Sequence, residues 1–342
     1  MSITVEFQPS GRRFTAEPAD TLLEAALRSG GSPLYGCVNG SCGECKAQVL
    51  SGETETVRFH DFSLPAAERE QGYVLMCCTA PRSDHVVVAA LEAGSALDIP
   101  EQQLRGRIHK LEQLGDDCHV LTVRTQRGRT LRFLAGQRAR LKFDGADEWT
   151  GPLANCPCDG FNLQFHLSGS MDGASVEQLL PGLHKGLPVA IEGPYGDFTL
   201  DEGATRPLIF LAEDTGFAPI GSLIEHAVNA ELERPMRLYW YAARPDGHYR
   251  LNYCRAWSDV VDDFDYRAFA SATTDEVPGL AQLDSPEMLP VLVVAEAADI
   301  AACDVYVAGS RTLVDAAQSV FIGAGLASER LFLEVLPAEP PD

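Results

Sequence analysis

Alternating apolar and polar positions open the chain. "ITVEF" and "RRFTAE" flank Pro9, Ser10 and Gly11 and read as a β-hairpin. "ADTLLEAALRSGG" then changes to a helical period. Asp20 or Thr21 can cap its start, Glu24 lies in its first turn, and Gly30 sits past its end. After a loop rich in Gly and Cys, "KAQVLSG", "GYVLMCC" and "HVVVAAL" read as strands. "EAGSALDIPEQQ" reads as a linker. From about residue 104 the segments "RGRIHKLEQL", "CHVLTVRT", "TLRFLAG", "RARLKF", "NLQFHLS" and "PVAIEGP" follow one another with turns between them. Short strands at this spacing predict a small antiparallel barrel. From about residue 204 the pattern alternates strand and helix: "PLIFLA" then "GFAPIGSLIEHAVNA", "MRLYWYAA" then "YRLNYCRAWSDV", "DVYVAGS" then "RTLVDAAQSVFIGAG". That predicts a doubly wound parallel sheet with helices on both faces. The run "VDDFDY" reads as a solvated edge, and no internal repeat is visible. The expected division is 1–98, 104–203 and 204–342, an α+β part, an antiparallel barrel and an α/β part.

Composition narrows the function. The 342 residues allow two or three domains, and 45% hydrophobic with 22% charged residues is an ordinary globular balance. A formal net charge of −22 argues against nucleic acid and anionic membranes. It favours a partner that docks by charge complementarity. The lysines are Lys46, Lys110, Lys142 and Lys185, none of them in the last segment. The start reads as a strand and turn rather than a secretion signal, and no apolar run reaches membrane-spanning length. The expected location is cytoplasmic, where ten cysteines favour metal or catalytic chemistry over disulfides.

Cysteine spacing supplies that chemistry. "YGCVNGSCGECKAQV" sets Cys37, Cys42 and Cys45 in a C-x4-C-x2-C pattern, and "GYVLMCC" supplies a fourth thiol downstream. This is the plant-type [2Fe–2S] spacing. Two irons need four thiolates, and a short loop can wrap three of them around one edge. Gly40 and Gly43 let backbone N–H groups approach the sulfides. Side chains of Cys77 and Cys78, read as strand neighbours, would point to opposite faces, so one alone reaches the cluster. Free buried thiols and zinc are the competing readings, but structural zinc sites usually pair two C-x2-C units. "NCPC" at 155–158 is compatible with a simple turn or with a redox pair.

The segment resembles the ferredoxin domain of the bacterial ferredoxin–NAD(P)H reductase family, whose fourth ligand follows Leu-x-Cys. Leu75–Met76–Cys77 matches, so the resemblance implies the ligands Cys37, Cys42, Cys45 and Cys77. It extends over the chain in the order β-grasp-like ferredoxin domain, flavin-reductase-type barrel, NAD(P)-type domain. That is the layout of oxygenase reductases and of the CDP-6-deoxy-glucoseen reductase group. "FLAGQ" and "EGPYGDF" match family stretches. The implied cofactor positions are Leu153, Ala154, Asn155 and Gly173 for flavin, and Thr215, Gly216, Pro219 and Arg244 for nucleotide. Arg244 reads equally as a surface arginine.

Other implied positions differ. The family's flavin motif Arg-x-Tyr-Ser aligns with Trp149, Gly151 and Pro152, which leaves Trp149 as a barrel-edge packing residue. Its later Arg and Gly-Gly turn align with Ser168, Asp172 and Gly173. In "EDTGFAPI", Glu213 and Asp214 replace the leading glycines of the NAD loop, where Asp214 or Thr215 would cap the helix. Ala308 replaces a cysteine beside the nicotinamide, and Leu336 replaces a C-terminal aromatic. Phe332 reads as strand core. The expectation is an electron-transfer protein that passes single electrons through its [2Fe–2S] cluster to or from an oxygenase, a dehydrase or another oxidoreductase. FAD and NAD(P)H binding is expected to be impaired or absent, and no residue is assigned as catalytic. The alternative is a working NAD(P)H- and FAD-dependent reductase component.

Overall fold

A computed structural model describes residues 3–31, 33–92, 99–126, 129–144, 148–172, 174–272 and 279–337. The opening hairpin forms as expected from β1 (Ile3–Gln8) and β2 (Arg13–Ala16), with Val5 opposite Phe14. Helix α1 (Leu22–Arg28) starts at a full capping box. Thr21 accepts from the Glu24 N–H, and the Glu24 carboxylate accepts from the Thr21 N–H. Next come β3 (Lys46–Ser51), β4 (Thr54–Thr56), α2 (Ala66–Glu70), β5 (Tyr73–Leu75), β6 (Thr79–Pro81) and β7 (His85–Ala89). Five strands form a mixed sheet in the order β2-β1-β7-β3-β5, while β4 and β6 form a separate ribbon. Leu22, Leu23, Ala25 and Ala26 of α1 pack on Val5, Phe7, Val86 and Val88. "GYVLMCC" differs from its expected form. The strand ends at Leu75, and Met76–Cys78 is a single 3-10 turn. Cys77 and Cys78 therefore do not face opposite ways; both are buried, with their sulfurs 3.6 Å apart.

The middle of the chain builds β8 (Gln102–Leu114), β9 (Cys118–Thr125), β10 (Arg138–Phe143), β11 (Glu148–Pro152) and β12 (Asn162–Ser168). Short helices α3 (Gly169–Asp172) and α4 (Ala174–Leu179) precede β13 (Pro188–Tyr195). Their order is β11-β10-β13-β8-β9-β12, and neighbouring strands pair antiparallel. The end strands β11 and β12 touch, so the sheet curls to a nearly closed barrel around Ile108, Leu121, Leu141, Phe165 and Ile191. "TLRFLAG" is not a strand. Its backbone bonds go to a loop carbonyl (Leu131 to Gly160, 2.9 Å) and to glutamine side chains rather than to a ladder. Buried Leu131 and Phe133 account for its strand-like pattern. Trp149 sits on the end strand β11 and packs inward. It lies opposite inward-facing Leu141 and meets Phe165 edge-on at 5.8 Å. Its indole covers Gly151, where a Cβ would fall 2.0 Å from the ring.

The last part contains β14 (Leu208–Glu213), α5 (Phe217–Asn229), β15 (Met236–Ala242), α6 (Leu251–Val260), β16 (Phe264–Ala270), β17 (Ala281–Gln282), α7 (Leu289–Glu296), β18 (Asp304–Gly309), α8 (Arg311–Gly323) and β19 (Leu331–Val335). All its pairings are parallel, in the order β17-β16-β15-β14-β18-β19. Helices α5 and α6 cover one face and α7 and α8 the other. The "VDDFDY" run hides an element. Asp262 and Asp263 are exposed, but Phe264 is buried and begins β16, which is paired on both sides. The order in which successive strands are added reverses at β14, so a crevice opens beyond the carboxyl ends of β14 and β18. Phe332 is core as expected, stacked on Tyr306 at 4.4 Å. No helix among the described residues is long and apolar enough to cross a membrane.

Candidate functional site

The cysteine loop is shaped by two glycines. Gly40 and Gly43 have φ of +74° and +78°, a region L side chains rarely adopt. A Cβ at Gly40 would come within 2.7 Å of the Cys78 sulfur, and one at Gly43 within 2.2 Å of the Phe62 ring. Backbone donors point at the sulfurs. The Cys42 N–H reaches Cys37 Sγ and the Glu44 N–H reaches Cys42 Sγ, each at 3.4 Å. Cys45 Sγ lies 3.3 Å from Cys77 Sγ. The thiols thus fall into two pairs, Cys37 with Cys42 and Cys45 with Cys77. Among the described residues no three such ligands converge on one point, and two adjacent pairs are what a two-iron cluster needs. These four residues fit the cluster. Cys78 lies behind them, against Gly40.

Three of the four implied flavin positions lie on the barrel; Gly173 falls outside the described residues. Leu153 is fully buried in the barrel core. The Asn155 carboxamide is already satisfied, donating to the carbonyls of Cys156 (2.9 Å) and Asp159 (2.8 Å) and accepting from the Gln164 N–H (2.9 Å). Its carbonyl accepts from Ser222 on α5 at 2.8 Å. The crevice lined by Ala154, Asn155, Phe217 and Glu225 holds about 40 Å³. A flavin ring needs more room than this crevice offers as folded.

The loop after β14 gathers the nucleotide positions, with Thr215 and Gly216 buried and Pro219 inside α5. A Cβ on Gly216 would fall 2.1 Å from the Ala308 carbonyl oxygen, so glycine lets the loop sit on β18. Glu213 turns inward and accepts from the Ser310 N–H (2.8 Å) and Oγ (2.5 Å). Burial raises its carboxyl above the usual range. Asp214 does not cap α5; the N-cap is Gly216, with no side-chain cap bond. Instead Asp214 has φ +46° and accepts from the Ala243 N–H at 2.9 Å. Burial, with help from Glu213, pushes its carboxyl up to about 6. The adjoining crevice of about 360 Å³ carries Asp116, Asp117, Glu177, Asp214 and Asp246 against Arg244. Arg244 is half-exposed and pairs with Asp246 at 3.4 Å. A carboxylate ~5 Å from a phosphate charge, at an effective dielectric of ~20, repels it by roughly 3 kcal/mol. A pyrophosphate entering this crevice meets that repulsion unless Arg244 offsets it. Leu336 is buried, its N–H bonded to the Gly309 carbonyl at 2.8 Å.

Sequence reasoning missed the groups that join the parts. Arg138 on β10 pairs with Glu334 on β19 at 3.5 Å, and burial raises that carboxyl to about 7. His166 on β12 bonds the Tyr249 hydroxyl at 2.8 Å. Arg12 in the first part pairs with Glu202, which also holds His226 on α5 at 2.9 Å. Sequence distance conceals all three, and no local pattern announces them.

Residues 5–82 match the model of the 2Fe-2S iron-sulfur cluster binding domain. Over 318 residues the chain is 30% identical to the propane 2-monooxygenase reductase component of Mycolicibacterium smegmatis, covering 92% of this chain and 91% of that one. It is 29% identical over 337 residues to the CDP-6-deoxy-L-threo-D-glycero-4-hexulose-3-dehydrase reductase of Yersinia pestis, covering 97% and 98%. The crystal structure of the Amycolatopsis cytochrome P450 reductase GcoB superposes with a TM-score of 0.63 at 26% identity, over 97% of this chain and 98% of that one. These full-length matches correct one expectation. They give no support to impaired FAD and NAD(P)H binding and favour the reductase alternative. With relatedness along nearly its whole length, and a matching cluster domain, the chain belongs to the bacterial ferredoxin–NAD(P)H reductase family whose members carry an N-terminal [2Fe–2S] domain.

Proposed function

We propose that the chain is a reductase component that delivers single electrons through a [2Fe–2S] cluster, held by Cys37, Cys42, Cys45 and Cys77, to an oxygenase or a dehydrase. The observation that carries this reading is the glycine-shaped loop with its two thiol pairs. Backbone N–H groups aimed at the sulfurs favour the reduced, more negative cluster. The full-length relatives favour FAD and NAD(P)H as its electron source. Residues 1–98, 104–203 and 204–342 are the domain limits that go with this reading.

A second reading rests on one specific observation. Carboxylates line the nucleotide crevice, and the barrel crevice is closed to about 40 Å³. On that reading a partner protein, rather than a bound nucleotide, charges the cluster. One preparation separates the two. The protein is purified anaerobically, its visible spectrum is recorded, and the denatured supernatant is assayed for flavin. One flavin per chain, with cluster bleaching by NADH, is the expected result. Iron and sulfide without flavin would establish the second reading instead. Absence of iron and sulfide would sink both.

A further inference from the structure

The four cluster ligands and their neighbour Cys78 account for half of the ten cysteines. Cys156 and Cys158 stand apart from the other thiols because charged and polar groups from elsewhere in the chain converge on them. The turn that carries them leaves β11 and ends in Asn155–Cys156–Pro157–Cys158. Cys156 is almost wholly buried, and its sulfur accepts from the Cys158 N–H at 3.4 Å and from the Asn229 amide at 3.2 Å. The same amide reaches the Cys158 sulfur at 3.8 Å. Glu225 of α5 fixes the turn by accepting from the Cys156 N–H at 2.8 Å. His226, next on α5, is buried. Its Nε2 pairs with Glu202 at 2.9 Å, and its Nδ1 has no fully formed hydrogen bond.

Hydrogen bonding from Cys158 lowers the Cys156 thiol against its burial, and the charge of His226 nearby adds to this. Burial opposes charge on His226, but Cys156 and Glu202 together raise it. Cys158 is raised, chiefly by its bond to Cys156. The arrangement favours charge on Cys156 and on His226, with the Cys158 thiol directly after the proline. A reactive thiolate needs such a setting, and a resolving thiol beside it prevents over-oxidation. Cys158 is partly exposed and borders a cavity of about 620 Å³ that Cys77 and Tyr35 also line.

We propose that Cys156 and Cys158 are a second redox centre, a dithiol that hydrogen peroxide oxidises to the Cys156–Cys158 disulfide and that the iron–sulfur cluster reduces again. In the oxidative half the Cys156 thiolate attacks one peroxide oxygen and the O–O bond breaks. The departing hydroxide takes the proton of His226 and leaves as water. Cys158 then attacks the sulfenic sulfur, the S–S bond forms, and the second oxygen leaves with the Cys158 proton as another water. The reductive half returns two electrons, one per cluster turnover, and two protons, one of them to the Cys156–His226 pair. Plant-type clusters lie below thioredoxin- and glutaredoxin-type disulfides in potential, so the electrons run downhill. Peroxide arises wherever a low-potential centre leaks electrons to dioxygen, and it is small enough to enter a buried site. The reductive half rests on the function proposed above; the oxidative half does not.

Residues 143–185 form one tryptic peptide with no other cysteine. Full-length holoprotein is treated with equimolar hydrogen peroxide, denatured with an alkylating agent and digested. The peptide should have lost two hydrogens and resist alkylation. In Cys156→Ser, Cys158 should stay alkylatable. A reductive titration under argon should then show the peroxide-treated parent taking up two more electrons per chain than peroxide-treated Cys156→Ser. Cluster absorbance is followed as the internal reference. Free thiols at both positions after peroxide has begun to bleach the cluster would overturn the proposal. So would a disulfide that adds no electron uptake over Cys156→Ser. A preparation without cluster absorption refutes the function proposed above, and its peptide still decides the dithiol.

Discussion

At the scale of single residues, Asp214 is where backbone and charge conflict most. It is a non-glycine with φ +46°, and its buried carboxyl is raised to about 6 from a usual 3.8. The folded state therefore holds this proton more tightly than the unfolded chain. Stability falls as pH rises from about 4 to about 6 and stays reduced above that. Asp214→Asn should unfold later than the parent at pH 8, by about 1–3 kcal/mol, and hardly differ at pH 4. Urea unfolding at the two values checks this; equal gains would contradict it. Asp214→Gly also relieves the left-handed strain. It should tighten NADH binding by about tenfold or more, measured by fluorescence titration. No change would mean that charge in this loop is not what opposes the nucleotide. The two acids were legible in the sequence. The fate of Glu213 was not, because its partner Ser310 lies 97 residues away.

Among the elements, the α/β sheet was read best, because long buried strands and amphipathic helices carry their own period. Two elements were misread for physical reasons. "TLRFLAG" has strand-like burial but bonds to side chains and a loop. Strand β16 begins behind two exposed aspartates. The start of β18 carries a network that no pattern showed. Asp304 is fully buried, accepting from Arg234 at 2.6 Å and from Arg206 at 2.7 Å. Arg234 also donates to the carbonyls of Arg206 and Asp201. Asp304→Ala leaves Arg234 buried without its carboxylate, and should cost about 3–5 kcal/mol in chemical unfolding. By contrast, Thr21→Ala removes one cap of α1 and should cost about 1 kcal/mol. The reverse ranking would mean that the buried network adds little.

For the whole molecule, the order of cluster domain, barrel and α/β domain was legible. Each stretch is locally consistent with its own architecture. The junctions were not, since Arg12–Glu202, Arg138–Glu334 and Ser222–Asn155 each join residues far apart in sequence. Cys77 was chosen by the Leu-x-Cys pattern, and the 3-10 turn removes the accompanying strand argument that its neighbour must face away. What distinguishes it from Cys78 is proximity to Cys45. The net charge of −22 acts at this scale too. Electron transfer to a basic acceptor such as cytochrome c should slow as salt rises, because screening shortens the reach of the acidic surface. A rate independent of ionic strength would exclude charge-guided docking.

The most direct test of the central claim is low-temperature electron paramagnetic resonance of the dithionite-reduced full-length protein, with iron and sulfide assayed on the same sample. The account predicts two irons and two sulfides per chain and the signal of one reduced [2Fe–2S] cluster. That signal should survive in Cys78→Ser and vanish in Cys77→Ser. Zinc without sulfide, or a signal lost with Cys78 and kept without Cys77, would contradict it.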